Sequence, residues 1–142
     1  MRSRSLLFGL AITTLLVGAG VSVAQEDPDI DCGNATTQFE LNYCANREYE
    51  AADKVLNATY KMVMAHMVGV DKAMAGSDPS LVGAADALKK AQRAWIGYRD
   101  GQCVLSGFSA RGGSMEPMLV SGCLADLTTR RTAELKDVLE AY

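Results

Sequence analysis

The chain has 142 residues, with 14 Lys and Arg against 17 Asp and Glu, a net charge of −3. That is the wrong sign for a protein that holds nucleic acid through its phosphates. The length suits one domain around one core.

Met1-Arg2-Ser3-Arg4 is a cationic opening, and Leu6 to Val23 is an almost uncharged apolar run that closes on Ser22-Val23-Ala24. This order predicts a signal peptide over residues 1–24, cut before Gln25. A retained membrane anchor is the rival. The acidic Glu26-Asp27-Pro28-Asp29 that follows gives no cationic stop-transfer flank, and no Cys at the end of the run marks a lipid anchor. The expected product is periplasmic or secreted, with no stable membrane anchor after cleavage. Losing Arg2 and Arg4 and no acid leaves 12 cations against 17 acids, a net charge of −5. Such a domain attracts a basic protein.

Residues 25–35 read as an acidic, turn-rich lead-in, and residues 36–142 as the helical domain. Thr37-Gln38-Phe39-Glu40 has the order of a capping box, Thr37 capping and Glu40 reaching back. From there Leu41, Ala45, Tyr49, Ala52, Leu56, Tyr60, Val63 and Met67 recur at gaps of three and four, the stripe of one long helix. "GVDKAMAGSDP", residues 69–79, is expected to break it. A second helix is predicted from about Leu81 to about Leu105, with Leu81, Ala85, Leu88, Ala91, Trp95, Tyr98 and Leu105 as its core stripe. The glycine-rich "SGFSARGG" ends it. Ser114, with Pro117 just inside, opens a third helix striped by Val120, Leu124, Leu127, Leu135 and Val138 and interrupted by Arg131. No strand pattern appears. The fold class is all-α, a three-helix antiparallel bundle.

Cys32, Cys44, Cys103 and Cys123 make an even count in an exported chain, which reads as two disulfides. Zinc is the rival, but no C-x-x-C spacing occurs and His66 is the sole histidine. The topology gathers all four at one end of the bundle. Pairing Cys44 with Cys103 and Cys32 with Cys123 would staple different helices and is preferred; Cys32–Cys44 with Cys103–Cys123 is the close alternative.

"LKKAQRAWIGYRDGQC", residues 88–103, concentrates aromatic and cationic side chains. Leu88, Ala91, Trp95 and Tyr98 are expected in the core; Gln92, Ile96, Arg99 and Cys103 form the next row; Lys89, Lys90, Arg93 and Asp100 fall outside. Helix 1 carries a matching polar edge at Asp53, Asn57 and Tyr60. The simpler reading is a structural polar seam: Gln92 and Arg99, beside Trp95, meet Asp53 and Asn57, with Arg130 or Arg131 nearby. Buried polar groups need partners, and the guanidinium fork suits carboxylates.

An active site is the sharper reading and finds little support. His66 has no Ser or Cys partner in sequence, and Ser106, Ser109 and Ser114 lack a nucleophile-elbow frame. No carboxylate pair sits in an apolar setting that would split its pKa values. The glycine-rich loop has neither the lysine nor the preceding strand of a P-loop. We therefore assign no catalytic residue, metal or cofactor, and read the chain as a non-enzyme. A copper site in "MVMAHM", from Met62, Met64, His66 and Met67, is a third reading. Its competitor is that Met67 is core and the other methionines fill gaps. Asn34-Ala35-Thr36 and Asn57-Ala58-Thr59 match the glycosylation triplet.

Three blocks, "C…TTQFELNYCANREYEAADKVLNATY", "LKKAQRAWIGYRDGQC" and "GGSMEPMLVSGCLADLTTRRTAEL", resemble those of the LprI-type lysozyme inhibitor family, from Cys32 to about Leu139 with all four cysteines in register. The middle block, with Gln92, Trp95, Tyr98, Arg99, Asp100 and Cys103, is the most specific. The resemblance implies a helical, disulfide-bonded envelope domain that inhibits c-type lysozyme. Inhibition needs no chemistry, only a protrusion that occupies a cleft where two carboxylates work. The loop Ser106 to Glu116 is the candidate: Phe108 as anchor, Arg111 to meet a carboxylate, Ser109 and Ser114 beside them. The alternative from another class is an envelope interaction or stress module with no lysozyme activity.

Overall fold

Thr37 opens the first helix through a full capping box. Its hydroxyl accepts the Glu40 N–H, and the Glu40 carboxylate accepts the N–H groups of Thr36 and Thr37, both at 2.9 Å. The computed structural model describes residues 28–141, so the predicted signal peptide lies outside the described residues. Helix α1 runs Gln38–Ser77, α2 Ala84–Gly107 and α3 Glu116–Glu140, and single 3-10 turns at Pro79–Leu81 and Phe108–Ala110 occupy the two connections. The fold is all-α, three helices and two disulfides, with no strand among the described residues.

Helix α1 does not break at Gly69 but continues to Ser77. Two tertiary contacts offset the cost of about 1 kcal/mol that a helical glycine carries. Val70 packs on the core, and Asp71 caps the next helix: its carboxylate accepts the N–H groups of Gly83 and Ala84 at 2.8 Å and of Ala85 at 3.0 Å. Gly83, the N-cap of α2, has no side chain to do this. These bonds hold the Asp71 carboxyl below the usual range, the Gly83 N–H most strongly. The helix ends at Asp78, extended at φ −150° and ψ 106° ahead of Pro79, because a residue before proline is pushed out of the α region.

Helix α2 accordingly starts three residues later than the sequence pattern implies. Leu81 sits in the 3-10 turn and is 62% exposed. Its buried row is also displaced: Leu88, Gln92, Arg99 and Cys103 are buried, while Tyr98 is 58% exposed and Trp95 only partly covered. Of the row expected beside the core, Gln92, Arg99 and Cys103 are buried and Ile96 is 40% exposed; of the expected core stripe Leu88 is buried, while Ala91 and Leu105 are exposed. Helix α3 begins at Glu116 with Pro117 in its first turn, and Met115, not Ser114, holds the N-cap position without a side-chain bond.

The apolar centre is small: Leu56, Val63 and Met67 of α1, Leu88 of α2 and Leu135 of α3. Thr59, Thr128 and Thr132 are buried with them, and the Thr132 hydroxyl donates to the Thr128 carbonyl at 2.9 Å. α1 packs chiefly on α3, less on α2. Gly107 lets α2 pass close to α3, since a Cβ there would stand 2.6 Å from Val120 Cγ2.

The disulfides are Cys32–Cys44 and Cys103–Cys123, with Cα atoms 5.6 and 5.4 Å apart. This corrects the preferred pairing. The Asp31 side chain accepts the Gly33 N–H and an Asn34 amide N–H, curling the lead-in back so that Cys32 meets Cys44. Cys103 is fully buried, one turn before the end of α2, and the short connection brings it to Cys123 in the second turn of α3. Each bridge joins neighbours in the chain because both connections are tight.

Candidate functional site

The first polar cluster centres on Arg99, whose side chain is 9% exposed. Its Nε donates to Asp100 Oδ1 at 2.9 Å, and its Nη1 donates to Asp53 Oδ1 at 3.3 Å and Thr128 Oγ1 at 3.4 Å. The Tyr49 and Trp95 rings lie 5.4 and 5.1 Å from its guanidinium carbon, an arrangement that favours a cation. Burial works against the charge, but hydrogen bonding to Asp100, with Tyr49, Asp100 and Asp53 adding to it, leaves the pKa raised. All three helices are tied by one permanently charged group.

Gln92 is the neighbouring node. Its Oε1 accepts Arg131 Nε at 3.1 Å, and Arg131 Nη1 donates to Glu134 at 2.8 Å with its guanidinium 6.0 Å from the Trp95 ring. Arg131 fills the place assigned to Arg130, which points outward and forms a two-pronged pair with Asp126 one turn earlier. Asn57 is exposed and donates to Asp53 at 2.7 Å, fixing the carboxylate that faces Arg99. Tyr49 and Thr128 were not expected here. Both lie on helix rows whose facing residues only the packing reveals. The hydrogen bonds of this cluster join the three helices, and Arg131 also lines an open groove of about 380 Å3 with Met67, Leu88, Leu135 and Val138.

The second cluster is the connection from α2 to α3. Arg111 Nη1 donates to Glu116 Oε1 at 2.6 Å, and the Gly112 N–H donates to Glu116 Oε2 at 2.7 Å. The Gly112 bond first, with Arg111 adding to it, holds the Glu116 carboxyl below its ordinary range. The Arg111 guanidinium lies over the Phe108 ring at 4.7 Å, while both side chains stay in solvent: Phe108 is 54% exposed and the Arg111 side chain 60%. Gly112 takes φ +76°, open to glycine at little cost. The Ser109 hydroxyl donates to the Ser106 carbonyl at 3.3 Å, and the Ser114 carbonyl accepts an Asn42 amide N–H at 3.0 Å, anchoring the loop to α1. The Cys103–Cys123 bridge closes its base. The structure thus brings Phe108 and Arg111 together and puts Ser109 and Ser114 at the two ends as braces. Glu116, the clamp of the loop, carries no sequence signal beyond an acid in the first turn of a helix.

The methionines around His66 do not converge. Met67 is buried in the core, whereas Met62 is 55% exposed on a different side of α1. Asn34 is exposed and bonded to Asp31.

Fold and loop together define a small helical domain, braced by disulfides, that presents one self-supported connection at one end. The family model described as lysozyme inhibitor LprI matches residues 31–135, and the chain belongs to that family. It is 57% identical over 131 residues to the uncharacterized protein R02472 of Rhizobium meliloti (strain 1021), a match covering 92% of this chain and 94% of the relative. No solved structure matches the chain. The family is one of inhibitors, and the two disulfides of this chain fit an oxidising compartment.

Proposed function

We propose that this chain is an exported inhibitor of a c-type lysozyme that acts by seating the Ser106–Glu116 loop in the catalytic cleft, with no chemistry of its own. Residues 1–24 serve as the export signal, and the remaining domain works in the periplasm or outside the cell. The observation that carries this reading is the Arg111–Phe108 pair, solvent-facing yet held in one geometry by Glu116 and the Cys103–Cys123 bridge. A rigid loop loses little conformational entropy on docking, and that preorganisation favours binding.

The chemistry of the cleft suits it. Glycosidases of this kind work with two carboxyl groups flanking the scissile bond. The ion pair to Glu116 engages Arg111 Nη1, and a guanidinium has five N–H donors, so the group can meet a lysozyme carboxylate without leaving its clamp. The Phe108 ring supplies apolar area alongside, and Gly112 and Gly113 let the backbone approach closely.

Lysis of cell walls by a c-type lysozyme, followed with and without the purified oxidised protein, tests this. Inhibition by the wild type is expected, and Arg111→Ala is expected to weaken it by about thirtyfold or more, the cost of removing one partner from a desolvated charge pair. Phe108→Ala should weaken it too. A wild-type protein that leaves lysis unchanged at micromolar concentration overturns the reading for that enzyme. Inhibition that survives both substitutions moves the contact surface elsewhere.

A further inference from the structure

The face of α1 that looks past α3, away from α2, is apolar and uncovered. Ala51, Val55, Ala58, Met62 and Ala65 follow one another at gaps of four, three, four and three, and all are exposed, Val55 at 51% and Met62 at 55%. This is the seam spacing of a helix that packs on another helix. It runs one residue behind the row of half-buried Ala52 and buried Leu56, Thr59 and Val63, so α1 is apolar over a width that its own bundle only half covers. Beside the seam, α1 and α3 enclose a groove of about 450 Å3 floored by Ala51, Ala52, Val55, Thr132 and Ala133, with Glu48 and Lys136 also on its lining.

We propose that this face joins two copies of the chain, α1 of each lying on α3 of the other about a two-fold axis that runs along the bundle. The charges on the two rims select this partner and this orientation. Outside the α1 seam stand Lys54 and Lys61, exposed and without an ion pair among the described residues. Outside the α3 side stand Asp126, Asp137 and Glu140, all exposed, and among the described residues Asp126 alone of the three is in an ion pair, with Arg130. Crossing α1 onto the opposing α3 sets the lysine rim against the acidic rim twice over, as a self-complementary interface requires. The other two-fold, with α1 against α1 in opposite directions, would instead set Lys54 of one copy near Lys61 of the other. Like charges across an interface disfavour that register. Because the axis runs along the helices, both Arg111 loops point to the same end, and neither is covered.

Light scattering on the full oxidised protein across a concentration series tests the proposal. A mass near twice the 15.1 kDa of one chain, or of the processed chain where the signal has been removed, is expected as concentration rises. The double variant Val55→Glu/Met62→Glu is expected to stay monomeric while keeping its helical circular dichroism. Lys54→Glu/Lys61→Glu should weaken self-association at least tenfold, and mixing it with Asp126→Lys/Asp137→Lys should restore a mixed dimer. A wild type that remains monomeric at every concentration overturns the proposal, and does so more pointedly if an acidic amphipathic helical peptide then binds the face. A dimer indifferent to Val55→Glu/Met62→Glu overturns it as well, by placing the contact elsewhere. Lysozyme inhibition is a separate readout, since none of these residues belongs to the loop.

Discussion

Arg99 is where a single side chain carries most of the architecture. Among the described residues it is one of five buried polar or charged side chains, alongside Thr59, Gln92, Thr128 and Thr132, set against a buried apolar cluster of five, Leu56, Val63, Met67, Leu88 and Leu135. Truncating it would leave Asp53 facing α2 without its cation and open the space between Tyr49 and Trp95. Breaking a fully buried ion pair costs about 3–5 kcal/mol, but Asp53 and Asp100 are 35% and 54% exposed and can rehydrate. Arg99→Ala is therefore expected to cost about 2–3 kcal/mol in urea unfolding. Arg99→Lys should recover only part of this, since an ammonium keeps the charge but loses the plane that lies between two rings. A loss below about 0.5 kcal/mol in Arg99→Ala, the range of an ordinary surface substitution, would mean that packing alone holds the seam. The residue was visible in the sequence as a cation in the row beside the expected core. What was not visible is that its row is the buried one. The apolar character of Tyr98 drew the core stripe onto the wrong side of α2, because hydropathy counts a guanidinium as outward whether or not three acceptors wait for it inside.

At the scale of elements, the capping box, the apolar stripes of α1 and α3 and the proline inside α3 were legible, since each is a local instruction. The boundaries that moved are those set from a distance. α1 outlasts Gly69 because Asp71 serves another helix, and α2 begins at Ala84 because that carboxylate is waiting there. The disulfide pairing was illegible for a similar reason: four cysteines at one end of a bundle satisfy several pairings, and the curl set by Asp31 decides between them. The two bridges nevertheless do different work. Their sequence separations are 12 and 20 residues, for which chain entropy gives similar contributions of about 3 kcal/mol each. Their positions are unlike. Cys32–Cys44 ties the lead-in to α1, while Cys103–Cys123 closes the base of the Arg111 loop. Cys32→Ser/Cys44→Ser is thus expected to lower the unfolding midpoint with little effect on lysozyme inhibition measured below that midpoint. Cys103→Ser/Cys123→Ser should lower the midpoint comparably and weaken inhibition as well, because the loop loses its brace. Equal inhibition by the two double variants would detach the loop's geometry from the bridge beneath it.

The whole molecule contributes through its charge. The sequence sums to −3, and to −5 with residues 1–24 removed, while the proposed contact is made by a cation at one end. Acids such as Glu48, Asp86, Asp126 and Asp137 lie along the helices, away from the loop, so their field acts on approach to a basic protein more than in the final contact. Long-range attraction of this kind raises the association rate and fades with salt. The screening length falls from about 30 Å at 0.01 M to about 10 Å at 0.1 M, which is shorter than the bundle itself, since a helix of 25 residues spans roughly 37 Å. Over that range the association rate with a basic lysozyme is expected to drop by an order of magnitude or more, with the dissociation rate changing much less. Stopped-flow mixing at a series of salt concentrations reads both. An association rate flat across the series would mean that the acidic surface plays no part in capture, and the contact would then have to be reached by the loop unaided. A dissociation rate that rises as steeply as the association rate falls would place charged groups of the helices inside the contact itself.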